Sequence, residues 1–294
     1  MKIAIFGQFY QNTTAPIIER LFSFLERNPL EIIVYDDFYN ILSENKILTK
    51  KYQTFKSHED LNLSFDMLIS VGGDGTFLKA ATLVRDSHIP ILGINAGRLG
   101  FLATVQQENI ELFLQMVLDK QYTISKRTLL SLHCTQEIES LQEINFAMNE
   151  VTVSRKDTTS MITIETYLDG EYLNSYWADG LIIATPTGST GYSMSCGGPI
   201  LTPNANCLVI TPIAPHNLNA RPLVIKDDTE VRLKVSGREE NYLISLDSRL
   251  ASVKNDAILT IKKTPFKINM VQITEETFLK TLRNKLLWGE DKRN

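Results

Sequence analysis

One short turn in this sequence combines the residue types that phosphate chemistry uses: Val71-Gly72-Gly73-Asp74-Gly75-Thr76. Glycine lets the backbone take positive φ and come close to a ligand. A strand before the turn and a helix after it would aim free N–H groups at an anion, which suits a phosphate chain. A carboxylate held there can accept the proton of an attacking hydroxyl during phosphoryl transfer. The plainer alternative is that Asp74-Gly75 is a tight turn or a helix cap. Neither G-x-G-x-x-G nor G-x-x-x-x-G-K-[ST] occurs, which counts against an ordinary dinucleotide-binding dehydrogenase and a P-loop kinase.

A second candidate is the run from Asp179 to Leu201, DGLIIATPTGSTGYSMSCGGPIL. An apolar stretch, Leu181-Ile182-Ile183, opens into glycines mixed with serine and threonine. The pattern reads as a strand leading into a ligand-contacting loop, whose hydroxyls and amides hold a polar molecule while Tyr192 is available to stack. A solvated loop is the alternative. Asn149-Glu150 places a polar pair just before the strand-like Val151-Thr152-Val153, where a capping or turn pair would look the same. The segment from Gly93 to Leu102, GINAGRLGFL, suits a connection passing close to a ligand or to a second domain, or simply a linking loop. The four histidines are scattered without metal-ligand spacing, and Cys196 has no histidine near it in sequence, so it reads as a small packing residue.

These residues need a scaffold, and the hydrophobic pattern supplies one. Lys2–Phe6, Glu31–Tyr35, Phe65–Val71 and Ile89–Ile94 read as apolar strands. Between them, Ile17, Ile18, Leu21, Phe22 and Leu25 share one helical face, and Phe77–Arg85 also reads as helix. This β-α-β rhythm predicts an α/β domain with a parallel sheet covered by helices. A further helix is expected at Ile110, Phe113, Leu114, Val117 and Leu118. Alternating segments then dominate, with Met161–Leu168 and Glu171–Tyr176 flanking the hairpin signal Asp169-Gly170, and strands at Glu230–Val235, Tyr242–Leu246 and Ala257–Lys262. Helical spacing returns at Phe278, Leu279, Leu282 and Leu286. The expected organisation is an α/β domain over 1–102, to which a helix in 272–294 returns, and an all-β, sandwich-like domain over 103–271.

Composition sets the limits. The chain has 294 residues, is 43% hydrophobic and 22% charged, and carries a net charge of -4, ordinary values for a globular protein. That acidity argues against binding nucleic acid by phosphate neutralisation. Three widely spaced cysteines point to a reducing compartment. The start, Met1-Lys2-Ile3-Ala4-Ile5-Phe6-Gly7, reads as a first strand, and no apolar stretch approaches the roughly 20 residues that span a bilayer. The expectation is a cytoplasmic protein with no membrane or nucleic-acid partner.

Together these segments resemble the NAD kinase family over nearly the whole chain. The resemblance rests on Gly-Gly-Asp-Gly-Thr at 72–76, Gly-Ile-Asn-x-Gly-x-Leu-Gly-Phe-Leu at 93–102, Asn149-Glu150-Val151, and the block from Asp179 to Tyr192. Ile210-Thr211-Pro212-Ile213-x-Pro-His216, Arg221-Pro222, and the ending Leu282-Arg283-x-Lys285-Leu286-x-Trp288-Gly289 add to it. The Gly-Gly-Asp-Gly turn alone is shared with diacylglycerol-type lipid kinases. A lipid kinase, or a non-catalytic module that binds NAD or NADP, therefore stands as an alternative.

The resemblance implies ATP-dependent phosphorylation of the adenosine 2′-hydroxyl of NAD to give NADP, with a divalent cation, Mg²⁺, on the triphosphate. It implies Asp74 as general base, Asp74 and Gly75 as the nucleotide-contacting turn, and Lys79 as a basic position beyond it. Asn149 and Glu150 match the pair at the adenosine ribose, and Asp179 the acid at the nicotinamide end. Thr190, Gly191, Tyr192, Ser193, Met194 and Ser195 match the loop around the dinucleotide. Ser160 and Trp177 occupy positions that are often basic in relatives, and Asp247-Ser248-Arg249 stands where many bacterial members have Asp-Gly-Gln. Subunits of the family commonly pair through the β-rich domain as homodimers or homotetramers.

Overall fold

A computed structural model describes residues 1–8, 14–156, 160–273 and 277–288. Gly289 of the terminal motif thus lies outside the described residues. The chain divides into two compact units, one formed by residues 1–126 and 268–294 and the other by 127–267.

The first unit begins with β1 (Lys2–Gly7), α1 (Ala15–Glu26), β2 (Glu31–Tyr35), α2 (Asp36–Glu44) and β3 (Gln53–Phe55). It continues through β4 (Met67–Gly72), α3 (Asp74–Val84), β5 (Ile91–Asn95), α4 (Ile110–Leu118) and β6 (Thr123–Arg127). The second unit holds β7 (Leu130–Cys134), β8 (Phe146–Ala147), β9 (Glu150–Arg155), β10 (Ile162–Leu168), β11 (Glu171–Ala178) and β12 (Gly180–Ala184). After the short α5 (Tyr192–Ser195) come β13 (Cys207–Ile213), β14 (Leu223–Lys226), β15 (Val231–Ser236), β16 (Asn241–Leu246), β17 (Arg249–Lys254) and β18 (Ile258–Lys263). The chain then returns to the first unit as β19 (Ile268–Gln272) and α6 (Phe278–Leu286).

In the first unit seven strands form one sheet in the order β3-β2-β1-β4-β5-β19-β6, and the pairings from β3 through β19 are parallel. The central strands β1, β4 and β5 are almost entirely buried, as continuous apolar runs between two helical layers must be. The strand order reverses between β1 and β4, because β2 and β3 lie to one side of β1 and β5 to the other. In open α/β sheets such a switch point opens a crevice at the carboxyl ends of the strands. Gly72 is the carboxyl end of β4, and Gly73 follows it directly.

The division differs from the sequence expectation. Residues 103–126 and 268–271 belong to the α/β unit, not to the β-rich one. Ile110, Phe113, Leu114 and Val117 of α4 share a core with Ile17, Ile18 and Leu21 of α1, and β6 and β19 extend the same sheet. The change in periodicity after residue 100 therefore marks the rim of the first unit rather than its end.

The second unit is a sandwich of two six-stranded sheets, β11-β10-β15-β18-β7-β8 and β14-β13-β12-β9-β16-β17, antiparallel throughout their registered pairs. Alternate residues of both sheets meet in one core, including Val151, Val153, Leu181 and Ile183 from one sheet and Ile164, Leu233 and Ile261 from the other. The Asp169-Gly170 hairpin forms as the dipeptide predicts, with φ of 51° and 86°. Both residues at positive φ match the right-handed strand twist. β12 is buried on both faces: Ile182 and Ala184 point away from the sandwich core and pack with Val209, Cys196 and Leu201. The glycine-rich run therefore lies against the outer face of its own sheet, and Cys196 is a packing residue there.

Candidate functional site

Asp74 is the first residue of α3, with Gly73 as its cap. The opening N–H groups of a helix have no partner within it, so Asp74 and Gly75 present donors outward. The Asp74 carboxylate turns the other way, towards the segment after β5. Oδ2 accepts the N–H of Phe101 at 2.8 Å, and Oδ1 those of Leu102 and Ala103 at 2.9 and 3.1 Å. A carboxylate has about four acceptor positions, so three amides fix its orientation and leave one on Oδ2. Gly100 lies so close that any Cβ there would overlap the carboxylate, and a Cβ at Gly93 would meet Leu102 O at 2.7 Å. Gly93 and Gly100 thus allow close packing on Asp74 and its neighbours, whereas a Cβ at Gly97 would meet nothing within 4 Å.

Glycines at 73 and 75 have a different reason. A Cβ at either would meet nothing within 4 Å, so packing within the chain does not require their smallness. Beside them Gly72, Gly73, Thr76, Asn95, Gly97 and Arg98 line a cleft of about 180 Å³, with Arg98 exposed at its edge. Asn95 shapes this edge by donating to Arg98 O at 2.7 Å and accepting from Gly97 N–H at 2.6 Å. Helix α6 secures the same loop: Lys285 Nζ donates to Leu99 O, and Phe278 packs on Phe101 with ring centroids 6.2 Å apart. Lys79 is exposed on α3, but five helical positions from Asp74 put it about 140° around the axis. It does not share the face of the carboxylate.

In the second unit, Asn149 and Glu150 lie at the start of β9 and are held from both sides. Asp247, in the turn joining β16 to β17, takes the N–H groups of Met148, Asn149 and Glu150 at 3.0, 2.7 and 3.2 Å. Thr185, just past β12, donates its hydroxyl to Met148 O at 2.6 Å and its N–H to Asn149 O at 2.9 Å. The same hydroxyl accepts Gly188 N–H at 3.1 Å, and Gly188 sits on Asn149 O with no room for a Cβ. Spacing in the sequence gives no hint of these contacts, although Asp247-Ser248 between two alternating runs is a turn signal.

Glu150 is 8% exposed, and its Oε2 has no hydrogen-bond partner. Burial, with the nearby Asp247 charge adding to it, pushes its carboxyl up to about 8, against the pull of a hydrogen bond from the Tyr192 N–H. A Cβ at Gly191 would lie 3.1 Å from that unpaired oxygen. Glu150, Asn149, Gly191 and Tyr192 therefore converge. Tyr192 is 46% exposed, and Asp179 is close enough to add to the upward shift of its phenol that partial burial and Cys196 produce. Asp179 also pairs with Arg155 at 3.1 Å. Thr190 and Met194 are half-buried and Ser195 is exposed.

Ser193, expected among the ligand contacts, is wholly buried with its hydroxyl 2.8 Å from that of Thr211. Ser189 likewise spends its hydroxyl inside the loop, on Pro186 O and on the N–H of Leu201. Hydroxyls that looked like ligand contacts partly serve to hold the loop to its sheet. Trp177 and Ser160 lie at the end of the β10–β11 hairpin opposite its turn. The Trp177 ring packs 4.3 Å from that of His216, whose N–H donates to Trp177 O. Among the described residues no group of three or more His, Cys, Asp or Glu could hold a metal ion, and the cysteines are unpaired.

Comparison with known proteins gives a consistent outcome. Residues 3–122 match the family described as ATP-NAD kinase N-terminal domain, and residues 148–273 match the ATP-NAD kinase C-terminal domain. The chain is 79% identical to an NAD kinase of Flavobacterium psychrophilum and 45% identical to one of Bacteroides fragilis, each over the full length of both proteins. Among solved structures, a yeast NADH kinase complexed with NADH shares the fold with a TM-score of 0.87 at 23% identity, covering 99% of this chain and 88% of that one. An NAD kinase from Archaeoglobus fulgidus in complex with ATP gives a TM-score of 0.75 at 26% identity, covering 98% and 99%.

Proposed function

This chain belongs to the ATP-NAD kinase family, and we propose that it carries out the family's chemistry with Asp74 as proton acceptor and the Asn149-Glu150 pair as the NAD anchor. The reaction is ATP-dependent phosphorylation of NAD to NADP, and neither a lipid acceptor nor a purely binding role is favoured. In our reading the nucleophile is the adenosine 2′-hydroxyl. Its oxygen forms a bond to the γ-phosphorus as the bridge to ADP breaks, and its proton passes to Asp74.

The observation that carries this reading is the fixed Asp74 carboxylate at the switch point, with one acceptor position left on Oδ2. The amides of Asp74 and Gly75, the cleft beside them and Arg98 form a cationic cradle for the triphosphate. Lys79 contributes charge from a neighbouring face rather than a contact beside the base. With no protein cage for a metal among the described residues, we assign the divalent cation to the ATP phosphates. Mg²⁺ is commonly held in this way, and there it supplies charge neutralisation. On the NAD side, the unpaired Glu150 Oε2 and the Asn149 side chain face a ribose, and Asp179 the nicotinamide end. Gly191, Tyr192, Met194 and Ser195 flank the dinucleotide, Thr190 and Ser193 support that loop, and Ser160 and Trp177 stand at its margin.

Pairing of subunits belongs to the same proposal. Strands β14 and β17 are the edges of their sheet and expose Leu223, Val224 and Leu250, as edges that another chain covers would. We assign a homodimer or homotetramer on that ground. No helix among the described residues is long and apolar enough to cross a membrane, and three free thiols suit a cytoplasmic setting. The test of function is stoichiometry. ATP, Mg²⁺ and NAD should yield equal amounts of ADP and NADP, the latter read by a strictly NADP-dependent dehydrogenase. ADP without NADP, or no product from folded protein, would reject it.

A further inference from the structure

We infer that Arg249 and Asp247 are positioning residues for the Asn149-Glu150 pair, so that affinity for NAD depends on a clamp carried by the turn between β16 and β17. This rests on the reading that Asn149 and Glu150 contact NAD. The segment entering the pair is poorly held by its own sheet: β8 is only Phe146–Ala147 and has registered partners in β7 alone. Arg249 supplies what the ladder lacks. Its guanidinium donates to Ile144 O at 2.7 Å and to Phe146 O, and lies 5.9 Å over the Phe146 ring. It also sits 3.8 Å from Asp247, whose side chain is 5% exposed and which accepts the amides of Met148, Asn149 and Glu150. Asp247 N–H closes the clamp on Glu150 O at 3.0 Å.

The turn and the segment are about a hundred residues apart in sequence, yet every peptide from 146 to 150 except that of Ala147 donates to or accepts from Asp247 or Arg249. A rigid fork that spans two carbonyls while offsetting a buried carboxylate is a task for arginine. A glutamine lacks the charge, and a lysine is a point donor. The clamp fixes the backbone from which Asn149 and Glu150 project. Loosening it should therefore be felt first by the ligand those side chains hold.

The test uses the full chain and the variants Arg249→Ala, Arg249→Lys, Arg249→Gln and Asn149→Ala, each assayed for KM of NAD, KM of ATP and melting temperature. Arg249→Ala should raise KM for NAD about tenfold, the equivalent of one lost charge-assisted hydrogen bond, and move KM for ATP much less. Arg249→Lys should recover only part of the loss and Arg249→Gln less. Should Arg249→Ala fail to fold, Arg249→Lys and Arg249→Gln are judged by the same split. An unchanged KM for NAD in the Arg249 variants, or equal shifts for both substrates, overturns the inference even if the melting temperature falls. If Asn149→Ala raises KM for NAD in that case, the reading of the pair survives. If Asn149→Ala leaves KM for NAD unchanged, that reading fails and the clamp has no ligand to serve.

Discussion

Replacing Glu150 by glutamine should stabilise the fold, by an amount that grows with pH. The folded carboxyl titrates at about 8 against 4.5 for the free side chain, because it is buried and faces the Asp247 charge. Below pH 4.5 folded and unfolded chains both keep the proton, and the residue imposes no pH dependence. Between 4.5 and about 8 the unfolded chain releases its proton while the folded chain retains it. Stability then falls as pH rises, by about 1.4 kcal/mol per unit. The cost is about 3 kcal/mol at pH 7 and levels near 5 kcal/mol above pH 8. Glutamine is neutral throughout and preserves the shape, so Glu150→Gln should match the parent at acid pH and exceed it by about 3 kcal/mol at pH 7. Urea unfolding of both proteins across roughly pH 4 to 8.5 measures this difference directly. A difference constant with pH would refute the reasoning, since it would mean that Glu150 is ionised in the folded chain. A residue kept at such a cost is expected where function requires it.

Two further outcomes follow from the same geometry. Gly100→Ala places a Cβ on the Asp74 carboxylate, so the carboxylate proposed as base must shift. Turnover in the coupled NADP assay should drop by about a hundredfold while circular dichroism stays unchanged. Removing divalent cations with a chelator should abolish NADP formation yet leave the melting temperature where it was, since we assign the cation to the ATP phosphates and the described residues hold no group of three or more His, Cys, Asp or Glu that could cage it.

Local chemistry in this sequence is legible, and long-range partnership is not. Glycines flanking one aspartate announced the turn after β4, helical spacing announced α1 and α4, and Asp169-Gly170 announced its hairpin. Helix α2 escaped notice because it buries only Phe38 and Leu42, too few positions to show a period. Edge strands β14 and β17 escaped because edges bury little and alternate weakly. The tail helix forms as its spacing predicts, but Leu279 on that pattern is 58% exposed. The three amides on Asp74 come from residues 27 to 29 positions away, and those on Asp247 from residues nearly a hundred away. No spacing rule reaches so far. The hydroxyls of Ser189 and Ser193 illustrate a related point: sequence shows that a donor exists, not whether the fold has already used it.

The central claim is that Asp74 takes the proton from NAD as ATP transfers its phosphoryl group. Single-turnover NADP formation by Asp74→Asn, with both substrates saturating, tests it most directly. Asparagine turns an N–H₂ towards one of the three amides, at a cost of about 1–3 kcal/mol, which a fold worth some 5–15 kcal/mol survives. With the protein folded and NAD still bound by calorimetry, the account predicts a rate lower by about 10²–10⁴-fold. A single-turnover rate equal to that of the parent protein would contradict it.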